Sequence, residues 1–195
     1  RVWVQVSDYI SHTRRHPQFD TSVLKEVVYQ KMTNFSYCLL ASKDKPNCVP
    51  IQSEVGVNGR TERVTAEVGY EDIRKDPRSG KGYTNDVAAS IKSTPGYLKT
   101  DQVGHIIGDC LGGPSDQKSN FFPQSAKSNK SYYDKFEFVV RQHLMRMHER
   151  GDPSPRAFID VRLQYDDPIS DRPTGIIAKA RFSDGKCASA TIENE

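Results

Sequence analysis

Four residues, His105, Asn120, Asn129 and Glu137, have the types and the order needed to hydrolyse a phosphodiester. His105 closes the stretch Asp101-Gln-Val-Gly-His105 and is followed by Ile-Ile-Gly-Asp-Cys-Leu-Gly-Gly-Pro114. An imidazole with an ordinary pKa of ~6.5 suits a general base near neutral pH. Asn129 offers a neutral amide oxygen. Such an oxygen suits magnesium, with manganese as the alternative, because this ion keeps several waters and needs few protein ligands. Glu137 can hold a metal-bound water without touching the metal. Asn120 can orient the loop or His105. Each residue also has an ordinary reading: a histidine satisfied by backbone, a turn asparagine, an N-cap asparagine, a Glu137–Arg141 helix pair. The combination carries the chemistry.

These side chains need elements to bring them together. Leu98 to Ile107 reads as the strand that delivers His105, and Gly112-Gly113-Pro114 forces a turn. Asn120 to Gln124 reads as extended. A helix is expected from Asn129 to about Arg150, with the apolar stripe Tyr133, Phe136, Val140, Leu144 and Met147. At ~100° per residue, Asn129 lies in line with that stripe and Glu137 flanks it by ~80°. Ser22–Met32 is expected to be a helix, and Arg63–Tyr70 and Phe158–Tyr165 strands. Ile176–Phe182 and Ala188–Ile192 form an expected hairpin around Asp184-Gly185.

The same residues resemble the DNA/RNA non-specific endonuclease family, a branch of the ββα-metal (His-Me finger) nucleases. In that family an Asp-Arg-Gly-His type motif ends a strand and an Asn-x-x-Pro-Gln element follows. Asn120-Phe-Phe-Pro-Gln124 has this form, Asn129 stands nine residues after Asn120, and Glu137 eight residues further on. Val55-Gly-Val-Asn58-Gly59-Arg60 resembles the family's entry strand, and Arg172-Pro-Thr-Gly-Ile176 the final hairpin of its bacterial toxin-like members. The likeness covers roughly residues 50–195. It implies an α+β fold with a mixed or antiparallel central sheet, a ββα-metal finger and a long helix carrying the metal ligand. It further implies a magnesium-dependent enzyme that cuts DNA and RNA to 5′-phosphate and 3′-hydroxyl ends. His105 would be the base, Asn129 the metal ligand, and Asn120 and Glu137 would complete the catalytic set.

One departure stands out. The family's arginine before Gly-His is missing, and Gln102 and Val103 occupy its place. The basic loop after Ile73 carries Arg74, Arg78 and Lys81. Arg78 is expected to reach the phosphate, because a guanidinium grips two oxygens at once. Arg74, Lys81 and Lys127 are expected to bind substrate. If nothing replaces the arginine, the chain is a nucleic-acid-binding module on a degenerate nuclease fold. A toxin domain held by an inhibitor protein is a further alternative.

At 195 residues the chain fits one domain at 49–195 plus an N-terminal segment at 1–48 made of an arm and a helix. Net charge is +3, a mild sign of an anionic partner. Between Lys118 and Arg150, however, seven basic residues stand against three acidic ones. A phosphate backbone would be drawn there. No stretch has the ~20 apolar residues of a membrane span. The four cysteines lack Cys-x-x-Cys spacing, which argues against zinc. An exported, processed chain with Cys38–Cys48 and Cys110–Cys187 disulfides is expected; free thiols would instead indicate a reducing compartment. The sequence leaves the oligomeric state open.

Overall fold

The computed structural model describes residues 48–74 and 82–195, within a compact unit from Asp44 to Glu195. The expected Ser22–Met32 helix, Cys38, Arg78 and Lys81 lie outside the described residues.

The architecture is α+β, with an antiparallel sheet and a long helix. Among the described residues, five strands form the main sheet: β1 (Ile51–Val55), β2 (Thr61–Gly69), β5 (Arg156–Gln164), β6 (Gly175–Phe182) and β7 (Cys187–Glu193), in the order β1-β2-β5-β6-β7. Period-two alternation explains its sidedness. Val64, Ala66 and Val68 of β2, Ala157, Ile159, Val161 and Leu163 of β5, and Ile176, Ala178 and Ala180 of β6 all enter the core. The hairpin around Asp184-Gly185 forms as expected, with Gly185 at φ 84°. The stretch expected as an entry strand, Val55–Arg60, is instead mostly the turn joining β1 to β2. Asn58 and Gly59 there adopt φ of 63° and 78°, which no strand allows.

The second sheet is small: β3 (Gln102–His105) pairs antiparallel with β4 (Phe121–Gln124). It is preceded by α1 (Asn85–Lys92), which Thr84 caps through its side-chain oxygen. Val87 and Ile91 of α1 pack on Val103 and Phe121. β4 leads directly into α2 (Ala126–Tyr132), a π-helical turn (Tyr133–Glu137) and α3 (Phe138–Glu149). β3, β4 and α2 thus form the expected ββα finger.

The helix starts earlier than Asn129. Ser125 is the N-cap, its hydroxyl accepting from Ser128 N at 3.1 Å. The π turn also changes the phase of the helix. Upstream of it Ser128 and Tyr132 are buried, while Asn129 and Tyr133 sit at the flank. Downstream, Phe136, Val140, Leu144 and Met147 keep the predicted stripe. A uniform advance of ~100° per residue cannot register an inserted residue, so the stripe was misplaced by one position upstream only.

The expected Cys110–Cys187 disulfide does not form. Cys110 is buried, with its thiol directed at Glu137, whereas Cys187 is exposed at the start of β7.

Candidate active site

The glycines of the motif have a packing explanation. A Cβ on Gly104 would lie 2.1 Å from Gln124 Oε1, so the Pro-Gln glutamine occupies the space that a side chain at 104 would need. A Cβ on Gly108 would lie 2.3 Å from Glu137 Oε1. The finger is therefore assembled through two close approaches, Gln124 under β3 and Glu137 under the loop after it.

His105 ends β3, half-buried, with its ring 4.5 Å from that of Phe121. Its Nε2 lies 2.5 Å from the carbonyl oxygen of Gly82. A carbonyl only accepts, so Nε2 carries the hydrogen and a neutral ring has its lone pair on Nδ1. Burial is the main influence on its pKa and lowers it; the Gly82 bond and Asp109 oppose this, and Arg74 adds to it. The ring is thus held in the form that can take a proton.

Asn120 is fully buried. Its Oδ1 accepts from Ile107 N at 2.8 Å, and its Nδ2 donates to Ile107 O and Pro114 O, both at 3.0 Å. All its polar capacity shapes the loop between β3 and β4, which makes it a positioning residue. Tyr132 adds a bond from its hydroxyl to Ile106 O at 2.8 Å.

Glu137 is buried at the end of the π turn. Burial first, then the like charge of Asp109, push its carboxyl up to about 8, opposed by a weak contact from the Cys110 thiol at 3.9 Å. Asn129 is half-buried on α2, and its Nδ2 donates to Gln102 Oε1 at 2.5 Å. Its backbone N–H is satisfied by Ser125 O at 2.9 Å, so its side chain has no capping duty.

Arg74 is the member of the basic loop that lies among the described residues. It forms a 2.6 Å ion pair with Asp109 and donates to the Asp109 carbonyl at 3.1 Å. Lys127 is highly exposed and pairs with Glu195 at 2.5 Å.

Sequence reasoning did not pair the residues that fasten the finger to the main sheet. Arg172 holds Asp101, just before β3, through contacts of 2.9 and 3.2 Å, and also donates to Asn194 O at 2.7 Å. Asn194 accepts from Ser125 N at 2.8 Å and donates to Pro123 O at 3.0 Å and Pro173 O at 2.8 Å. An Asp before a Gly-His strand and an Arg-Pro-Thr-Gly turn were visible in the sequence, but nothing in their spacing pairs them.

Does this donor set suit a cation? Among the described residues no group of three His, Cys, Asp or Glu side chains could hold a metal, which argues against a site built from soft or charged ligands alone. The amide oxygen of Asn129 and the carboxyl oxygens of Glu137 are hard donors, the kind that a divalent ion and its waters take. Asn129 would be the ligand. Glu137 stands eight residues further along the helix, about 12 Å of rise at ~1.5 Å per residue, and would act through water.

Known structures share this arrangement of elements. The chain is similar to NucA from Streptococcus agalactiae with a magnesium ion bound: 16% identical, covering 75% of this chain and 70% of that one, with a TM-score of 0.56. The same nuclease with no metal bound gives 17%, 77%, 73% and 0.53. The Sda1 nuclease with a bound zinc ion gives 14%, 74%, 75% and 0.50. The chain shares the fold of these structures. In sequence it is 33% identical over 89 residues to the probable deoxyribonuclease RhsA of Dickeya dadantii (strain 3937). That match takes in 46% of this chain and 6% of the length of that protein. No family model matches the chain. Among the described residues no helix is long and apolar enough to cross a membrane.

Proposed function

We propose that this protein is a divalent-metal-dependent endonuclease that hydrolyses phosphodiester bonds of DNA and RNA. The observation that carries the reading is the His105 geometry: a ring at the strand end, fixed by Gly82 so that Nδ1 has the free lone pair. It is joined by Asn129 and Glu137 on one continuous helix behind the strand. Nδ1 of His105 takes a proton from a water that attacks phosphorus in line. The bond from phosphorus to the 3′-oxygen breaks, and that oxygen takes up a proton from solvent. The products carry 5′-phosphate and 3′-hydroxyl ends. A magnesium or manganese ion bound at Asn129 would supply charge neutralisation at the phosphate and leaving oxygen. Glu137 would orient the water around that site. Arg78 is the proposed phosphate-binding cation, because a guanidinium grips two oxygens at once and Arg74 is already paired with Asp109. Arg74, Lys81 and Lys127 would guide the backbone.

Digestion of plasmid DNA and of RNA, with magnesium or manganese and with chelator, tests this reading. His105→Ala should lower cleavage ~10²–10⁴-fold. Chelator-resistant cleavage, or a His105→Ala protein as active as the wild type, would overturn it. Salt-sensitive binding without turnover would mark a binding module instead.

A further inference from the structure

We propose that Gln102 is the residue that orients Asn129 for metal binding; this rests on the metal assignment made above. Asn129 has a primary amide on a half-exposed helix flank, and only one of its two ends can bind a cation. Its Nδ2 is 2.5 Å from Gln102 Oε1, so Oδ1 takes no part in that bond. The opposite arrangement, with both amides turned over, is also hydrogen-bonded, but it presents N–H groups to the cation. With Gln102 Oε1 as the acceptor, the Asn129 oxygen is the end left for a cation. A donor-only side chain there would draw Oδ1 toward itself and compete with the metal.

Gln102 rests on fixed backbone. Its neighbour Asp101 is clamped by Arg172 and caps Leu98 N at 3.0 Å, and Gln102 itself pairs with Gln124 across the finger. The departure from Asp-Arg-Gly-His therefore gives the strand a neutral acceptor beside the metal-binding asparagine. Outer partners of this kind typically alter metal affinity ~10–100-fold. Gln102 is a positioning residue and does not touch the reacting atoms.

The test measures Mn²⁺ affinity directly, from the electron paramagnetic resonance signal of free Mn²⁺, on the whole chain without nucleic acid. Gln102→Met removes the acceptor at similar length and should weaken binding at least ~10-fold. Gln102→Glu keeps an acceptor oxygen and should bind at least as well as the wild type. Thermal melting of both variants without metal should match the wild type, because the contact is solvent-exposed. Gln102→Met binding Mn²⁺ like the wild type, or Gln102→Glu failing as Gln102→Met does, would overturn the proposal. Asn129→Ala separates the two levels: if it binds Mn²⁺ normally, the metal assignment itself fails.

Discussion

At the scale of single residues, two side chains are held away from their ordinary protonation. His105 has a lowered pKa, chiefly through burial. In its proposed role as base, His105 would then stay active into mildly acidic solution. The acid limb of kcat/KM should fall below ~6.5, the value of a free imidazole, in a pH–rate profile at saturating metal. Glu137 has the opposite displacement, up to about 8, also through burial first. Folding therefore favours its protonated form. That contribution is fully present below the unfolded carboxyl pKa of ~4.3 and is lost as pH rises through about 8. Without metal, Glu137→Gln should melt several degrees above the wild type at pH 8 and close to it at pH 4, where 1 kcal/mol is worth about 2–8 °C. An equal pH dependence in both proteins would show that the carboxyl is not the source. The types and intervals of these residues were legible in the sequence, because chemistry depends on types and order. Their protonation states were not, because burial is set by chain segments far away.

At the scale of elements, the finger depends on a glycine chosen for space. Gly104 must lack a Cβ because Gln124 fills its place. Gly104→Ala should cost about 1–3 kcal/mol, as other overpacked interiors do. The Gly104→Ala/Gln124→Ala pair should be less destabilised than the sum of the two single changes, as measured by urea denaturation. Strictly additive losses would rule out the clash. The elements themselves were readable to different degrees. The β6–β7 hairpin follows directly from alternation around Asp184-Gly185. The start of the long helix was misjudged because Asn129 and Ser125 are both acceptable caps, and only Ser125 makes the bond. α1 was overlooked, although Thr84 before Asn-Asp-Val is an N-cap pattern. The π turn could not be foreseen. It follows from Tyr132 and Glu137 both being drawn inward, toward Ile106 and Gly108.

At the scale of the whole molecule, the finger is fastened to the main sheet by Arg172 and Asn194. Asp101 and Arg172 are 1% and 14% exposed, so loss of either strands a charge. Asp101→Ala should lower stability by ~3–5 kcal/mol, read by denaturant unfolding, and should reduce cleavage with it. Asn194→Ala removes three bonds, two that hold the β4–α2 junction and one to Pro173. It should weaken Mn²⁺ binding more than it lowers the melting temperature, and the reverse order would make Asn194 purely structural. The contacts span 71 residues from Asp101 to Arg172 and 69 from Ser125 to Asn194. Contacts of such separation close late, because the intervening loop must be ordered first. A chain still being synthesised passes through a long interval in which every residue of the candidate site has emerged but its clamp has not. Such an order of assembly would leave the finger unfastened until the polypeptide had been made through Asn194.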